Sequence, residues 1–191
     1  MNKMNNIVIP NKENLDKIKS KIAKDGASKL HVLADFDKTL TKAFVNGKSI
    51  PSIISILRDG NYLTKDYAEK AHALFEKYHP IEVDPKIPLE KKKKAMYEWW
   101  GTHFDLLIES RLNRRDLEKV VNSGKIKLRQ GISKFLNFLY KYGIPVVILS
   151  SSGLSGDYIL MFLRSNNILY DNIHIISNRY NWDRNGYAIS V

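Results

Sequence analysis

Two aspartates, Asp35 and Asp37, directly follow the short apolar run of residues 30–34. Such a run predicts a buried strand, so both carboxylates are expected at the end of that strand. Side chains two positions apart in extended chain lie on the same side, and two like charges held close together raise one pKa. Asp-x-Asp pairs also occur at ordinary turns, so this spacing alone does not identify a catalytic site.

A divalent cation would relieve the repulsion between the two carboxylates. Mg²⁺ prefers oxygen ligands and is often held by one or two carboxylates together with a substrate phosphate. We therefore predict that Asp35 and Asp37 bind Mg²⁺. Asp35 is then the predicted nucleophile, forming an aspartyl-phosphate, and Asp37 is the predicted general acid and base.

A second strand end carries hydroxyl groups instead of carboxylates. The apolar run of residues 144–149 predicts a strand, and it ends in Ser150 and Ser151. A serine hydroxyl and the backbone N–H groups of the following turn and helix are suited to binding phosphate. Thr39 is expected to form a local hydrogen bond that orients the aspartate loop. Carboxylates at one strand end and hydroxyls at another together predict a phosphate site with a nucleophile.

Strands alternate with helices along the chain, which predicts an α/β fold with a parallel sheet and active groups at the carboxyl ends of its strands. A third strand is predicted over residues 173–176 and a hairpin over 179–190. The predicted helices are 12–24, 64–79, 88–111, 113–122, 131–142 and 157–166. The proline-bracketed segment 80–85 is not expected to be helical throughout. The long helical stretch between the first two strands predicts an inserted cap.

The composition limits the class of protein. No apolar run approaches the length of a membrane span, no secretory signal is present at the start, and cysteine is absent. These features favour a cytosolic location. The net charge of +11 is compatible with a nucleic-acid surface, with attraction of phosphorylated substrates, or with a solvated lysine-rich surface. A nucleic-acid partner is the weakest of these, since the aromatic residues are not interleaved with the basic ones.

Several segments resemble a known family. The segment Asp35-Phe36-Asp37-Lys38-Thr39-Leu40-Thr41 resembles the first signature of the haloacid dehalogenase superfamily of phosphohydrolases, and Val147-Ile148-Leu149-Ser150 resembles the second. The strings Lys29–Asp35, Asn46–Lys48, Glu76–Pro85 and Met96–Trp100 are similar to the cytosolic pyrimidine 5′-nucleotidases within that superfamily. The resemblance extends from about residue 15 to residue 190.

The resemblance implies a Rossmann-like three-layer α/β/α core with an inserted helical cap. Residues 1–43 and 122–191 would form the core and residues 44–121 the cap. The implied activity is Mg²⁺-dependent hydrolysis of nucleoside 5′-monophosphates such as CMP and UMP. Ser150 and Ser151 would hold the phosphate and Glu82 would contact the base edge. Phe44, Trp99 or Trp100 would stack on the base.

Two departures from the family pattern qualify this expectation. The loop of residues 150–157 is slightly longer than the family's usual phosphate turn, and the chain stops at Val191, before the family's phosphate-binding lysine and second acidic loop. We therefore expect the last strands of the core to be missing, and either self-association or a complementing C-terminal segment. A catalytically inactive protein that binds nucleotide and Mg²⁺, and a phosphatase of other small phosphate esters, remain alternatives.

Overall fold

A computed structural model describes residues 7–191 of the chain. The strands are β1 (Val32–Ala34), β2 (Phe44–Val45), β3 (Lys48–Ser49), β4 (Val146–Ser150), β5 (Ile173–Ser177), β6 (Asn181–Trp182) and β7 (Ala188–Ser190). The helices are α1 (Lys12–Asp25), α2 (Ile53–Asp59), α3 (Tyr67–Val83), α4 (Leu89–Glu109), α5 (Arg114–Asn122), α6 (Ile132–Lys141) and α7 (Ser155–Ser165). The predicted alternation of strands and helices is confirmed.

The central sheet is parallel, with β4 between β1 and β5. Ala34 on β1 is paired with Ile148 on β4, and Ser150 at the end of β4 is paired with Ser177 on β5. The loops that leave β1 and β4 therefore begin at the same edge of the sheet. The two predicted strand ends are neighbours in space.

Helices α2 to α5 lie between β1 and β4 in the sequence. Helix α3 passes through Pro80 and ends at Val83, four residues later than predicted. A proline removes one helical hydrogen bond, but the N–H of Asp84 still reaches the Pro80 carbonyl at 3.2 Å. The helix ends where Asp84 becomes extended before Pro85, as expected for a residue that precedes proline. Helix α2 was not predicted.

One apolar core joins the sheet and the helices. Leu117 of α5, Ile148 of β4 and Leu163 of α7 are completely buried in it. Helix α5 packs against both α7 and α2, so the helices between β1 and β4 share this core with the sheet. The division into a core and a cap at residues 44 and 121 stays a prediction.

The two faces of the sheet differ in burial. Val146 and Ile148 are buried on one face, whereas Leu33, Leu149 and Ile176 are 63%, 50% and 56% exposed. Alternate residues of a strand point to opposite faces, so the exposed side chains belong to the second face. No helix within residues 7–191 combines the length and apolar character needed to cross a membrane.

Candidate active site

The aspartate loop leaves β1 with its aromatic residue anchored in the core. Phe36 is fully buried and meets Tyr158 and Phe162 edge-on, with ring centroids 5.7 and 5.6 Å apart. Lys38 then adopts a left-handed backbone conformation, with φ of 61°. Burial of Phe36 fixes the part of the chain that carries Asp35 and Asp37 on either side of it.

Polar contacts hold the same loop in place. The Thr41 hydroxyl accepts the Lys38 N–H at 2.9 Å, and the Thr39 hydroxyl donates to Asp35 over 3.4 Å. The Arg129 guanidinium donates to the carbonyls of Thr39 at 2.9 Å and Lys38 at 2.6 Å. The loop therefore depends on a residue about 90 positions further along the chain.

Asp37 occupies a buried position with one strong partner. The Tyr158 hydroxyl donates to its carboxylate at 2.6 Å. Burial raises the pKa of Asp37, and the negative charge of Asp35 raises it further, while the Tyr158 hydrogen bond and the Lys38 charge oppose the rise. Asp37 consequently keeps its proton to a higher pH than an ordinary aspartate does.

The serine turn after β4 is held by side chains from a later segment. Ser150 is 5% exposed, and its hydroxyl accepts the Ser152 N–H at 3.3 Å. The Asn178 amide donates to the Ser152 carbonyl at 3.2 Å, and the Tyr180 hydroxyl donates to the Gly153 carbonyl at 2.6 Å. These bonds fix a polar turn beside the aspartate loop.

Both loops line one cavity of about 560 Å³ beneath the helices. This volume lies within the range that is usual for small-molecule sites. The opposite wall is formed by side chains of α2, α3 and α4, namely Arg58, His79, Glu82, Trp99, Trp100 and His103. The cavity therefore has a strand-end side rich in oxygen atoms and a helix side rich in aromatic rings.

Three rings of α4 form a continuous stack along this helix wall. Trp99 and Trp100 are 5.8 Å apart with planes 19° from parallel, and Trp100 and His103 are 5.6 Å apart at 10°. A β-carbon on Gly153 would overlap the Trp100 ring and would lie 3.1 Å from Ile54. The serine turn and the aromatic wall are thus in close contact.

His103 and Arg58 are the buried basic groups of the helix wall. The His103 Nε2 atom is 3.1 Å from the Tyr67 hydroxyl. Burial, together with the smaller effect of the nearby Arg58 charge, lowers the pKa of His103 to about 4. The Arg58 side chain is 13% exposed, and its Nε atom donates to Asp59 at 3.2 Å. His103 is therefore neutral at physiological pH.

Glu82 lies at the more exposed end of the wall. Its carboxylate is 3.0 Å from the His79 Nδ1 atom, and its side chain is 51% exposed. The His79 ring stacks on Phe75, with centroids 4.5 Å apart. An acceptor is thus held next to an aromatic surface.

This geometry agrees with comparisons to known proteins. Residues 38–191 match the family model described as pyrimidine 5′-nucleotidase (UMPH-1). The chain belongs to this nucleotidase family. The predicted family membership is therefore confirmed, and the relatives' names are those of phosphomonoester hydrolases.

Two relatives of the nucleotidase family carry the name 7-methylguanosine phosphate-specific 5′-nucleotidase. The Gallus gallus protein is 33% identical over 86% of this chain and 56% of its own length. The Homo sapiens protein is 32% identical over 87% of this chain and 55% of its own. The chain thus spans about half the length of these relatives.

A solved structure confirms the predicted fold class. The crystal structure of cytosolic 5′-nucleotidase IIIB bound to cytidine matches with a TM-score of 0.77 at 24% identity. It covers 93% of this chain and 59% of the other chain. The mixed α/β fold of the nucleotidase, with its parallel sheet, is the fold that the sequence predicts.

Most of the predicted site residues meet at the cavity. They are Asp35, Asp37, Glu82, Trp99, Ser150 and Ser151. Thr39 is bonded to Asp35. Phe44 is not brought to the cavity: it lies on β2, paired with Ser49 in a short hairpin, and is 65% exposed. Because Phe44 does not line the cavity, base stacking by Phe44 has no support from the structure.

Three residues at the site were missed by the sequence reasoning: Arg58, His103 and Tyr158. For Arg58 a signal existed, since Ser52 caps the short apolar helix α2, whose last turn carries the arginine. Tyr158 lies 121 positions from Asp37, and nothing in the local sequence relates the two.

Within residues 7–191, no cluster of three or more His, Cys, Asp or Glu side chains is arranged to hold a metal ion. The candidate ligands are the Asp35 carboxylate and the backbone carbonyl of Asp37, which leaves the Asp37 carboxyl free to carry a proton. Burial raises the pKa of Asp37, and the charge of Asp35 adds to this rise, so the two carboxylates are not favoured as a pair of bare charges. A divalent cation suits such a pair, and Mg²⁺ commonly uses only one or two carboxylates.

Proposed function

We propose that this nucleotidase hydrolyses nucleoside 5′-monophosphates, with pyrimidine nucleotides among its substrates. One observation carries the proposal: a carboxylate pair and a serine turn line the same cavity as Glu82 and an aromatic wall. The first two bind and attack a phosphate, and the last two contact a base. Because the chain spans about half of its relatives' length, the activity is proposed and not transferred from them.

In the proposed reaction, an Asp35 carboxylate oxygen attacks phosphorus and the bond from phosphorus to the 5′-oxygen breaks. Asp37 gives its proton to the leaving 5′-oxygen. Asp37 then takes a proton from water, which attacks the aspartyl-phosphate and releases inorganic phosphate. The raised pKa of Asp37, caused mainly by burial, favours its protonated form and supports this role.

The phosphate is proposed to bind between the two strand ends. The Ser150 hydroxyl and the Ser151 backbone offer hydrogen bonds to its oxygens, and the bonded turn keeps them in position. Asp35 and Asp37 would hold Mg²⁺, which supplies positive charge to the phosphoryl oxygens. Fixed donors are effective here because phosphoryl transfer depends mainly on positioning and charge stabilisation.

The base is proposed to lie against the helix wall. Trp99 is 7% exposed and offers an edge more than a face, so Trp100 and Phe75 complete the aromatic surface. Glu82 accepts a hydrogen bond from a ring N–H or an exocyclic amine. A cytosolic location also remains part of the proposal.

The test is phosphate release from CMP, UMP, AMP and GMP, with and without Mg²⁺. The wild type and the control Asp105→Asn, which changes an exposed carboxylate, are expected to release phosphate when Mg²⁺ is present. Asp35→Asn should lose at least about a thousandfold in kcat. Full turnover by Asp35→Asn would contradict the nucleophile assignment.

A second function is nucleotide and Mg²⁺ binding without turnover. It is favoured by the small number of ligands, since only two carboxylates meet at the strand ends in the part of the chain that the structure describes. Calorimetric binding of CMP by a wild type that releases no phosphate would select this function over hydrolysis.

A further inference from the structure

Three polar side chains on the helix wall have hydrogen-bonding atoms without a partner among residues 7–191. Trp99 Nε1 and His103 Nδ1 are buried and form no hydrogen bond within residues 7–191. The Arg58 guanidinium is 13% exposed and uses only Nε, toward Asp59, in the described chain. All three residues line the cavity of the proposed active site.

Buried polar groups are nearly always hydrogen-bonded, and a buried charge without a full set of partners is costly. A buried water can satisfy one such group. Here a cation, an indole N–H and an imidazole nitrogen belong to two helices and border one cavity. Of the three, the Arg58 side chain is partly accessible, so its unused N–H groups can donate to a ligand that presents hydrogen-bond acceptors to this wall.

Arg58 lies in the last turn of α2, on the helix side of the cavity, whereas Lys38 lies in the aspartate loop. The positive charge of Arg58 lowers the pKa of His103, which adds to the effect of burial. It also lowers the pKa of Tyr67, which opposes the larger rise that burial causes. At Asp37 the nearby cation is Lys38 instead. Arg58 therefore faces the part of the ligand that lies on the helix wall.

We propose that Arg58 is a specificity-determining residue that donates hydrogen bonds to a carbonyl oxygen of a neutral base and disfavours a cationic base. The proposal rests on the proposed function, in which the base occupies this wall.

The chemistry of the bases makes the proposal selective. Uracil and guanine carry carbonyl oxygens, whereas adenine carries none. The 7-methylguanine ring has a carbonyl group but also a formal positive charge, which the Arg58 guanidinium repels. This chain should therefore differ in base preference from the relatives named as 7-methylguanosine phosphate-specific.

The experiment measures calorimetric binding of nucleosides that lack phosphate: uridine, guanosine, adenosine and 7-methylguanosine. The wild type should bind uridine and guanosine more tightly than adenosine, and guanosine more tightly than 7-methylguanosine. Arg58→Gln should weaken uridine binding about tenfold and raise the affinity ratio of 7-methylguanosine to guanosine by a similar factor. Arg164→Gln, at an exposed arginine of α7, is the matched control and should change neither.

An unchanged base ranking in a folded Arg58→Gln protein would overturn the proposal. So would weaker binding of inorganic phosphate with unaltered uridine binding, since Arg58 would then belong to the phosphate end. If Arg58→Gln does not fold, the binding of nucleosides to the wild type and to Arg58→Lys is the test. Tighter binding of 7-methylguanosine than of guanosine overturns the proposal. If the wild type binds the nucleosides in the expected order but releases no phosphate, only the proposed reaction is contradicted.

Discussion

The two sides of the cavity are built in different ways. On the strand-end side, loops are held by hydrogen bonds to backbone groups, such as those of Arg129 to Lys38 and Thr39. On the helix side, the wall consists of side chains packed against one another, such as Trp99, Trp100 and His103. The hydrogen bonds on the strand-end side fix the positions of backbone atoms, whereas the packing on the helix side fixes only the shape of a surface.

This difference suggests a division of tasks. A reaction centre tolerates little displacement, because catalysis depends on near-ideal geometry. A wall of side chains changes with single substitutions, since each ring or charge contributes separately to the surface. Under the proposed function, the strand ends therefore suit the reaction, and the helix wall suits recognition of the base.

The largest expected effect concerns the buried His103 of the helix wall. Its pKa of about 4 in the folded chain lies below the ordinary value of 6.5, so the unfolded chain binds more protons between these values. The free energy of unfolding should thus fall as the pH drops from 6.5 to 4, by at most about 3 kcal/mol. Urea titrations of the wild type and His103→Gln at several pH values would measure this.

In His103→Gln the free energy of unfolding should fall less as the pH drops. In His72→Gln, at an exposed position of α3, it should fall as steeply as in the wild type. If His103→Gln retained the full wild-type slope, the helix wall would not be the source of acid sensitivity. The two sides of the cavity would then differ in how they are packed, but not in their contribution to acid sensitivity.

A smaller effect is expected where the two sides touch. Gly153→Ala places a β-carbon against the Trp100 ring and Ile54, which should lower the free energy of unfolding by about 1–3 kcal/mol. Gly101→Ala meets open space inside α4 and should raise it by about 0.5–1 kcal/mol. Thermal or urea unfolding of both variants checks the pair. Equal stabilities would show that the turn and the wall adjust independently.

The extent to which the sequence predicts the fold depends on how local the signal is. Periodic helices such as α4 and the apolar strand β4 follow from their own residues, and both were predicted. The boundary of α3 was misplaced because Pro80 was treated as a helix end, although packing of the surrounding helix tolerates one lost hydrogen bond. Helix α2 is only seven residues long and gives little periodic signal.

The same distinction applies to the site. Asp35, Asp37 and Ser150 stand directly after strands, so their convergence follows from the rule that parallel strand ends meet at one edge. Tyr158 and His103 act through tertiary contacts that no spacing encodes. Phe44 was assigned to the base by family resemblance, and its hairpin places it elsewhere.

The smallest expected effect tests one of these tertiary contacts. Tyr158→Phe removes the hydroxyl that stabilises the charged form of Asp37, so the pKa of Asp37 should rise further. If protonated Asp37 is the acid, activity falls as pH rises through this pKa, and the alkaline limb of the kcat profile should move up by about one pH unit. Tyr140→Phe, at an exposed ring, is the control. A limb that stays in place, or moves to lower pH, would contradict the assignment of Asp37 as the acid.

The Arg129, Tyr158 and Tyr180 contacts also set the order in which the site is assembled during synthesis. Asp37 is separated from Tyr158 by 121 positions, which a ribosome covers in about 10 seconds. Throughout that interval both aspartates have emerged without the side chains that position them. The geometry around Asp35 is therefore acquired only once Tyr158 and Tyr180 have been made, long after Asp35 itself.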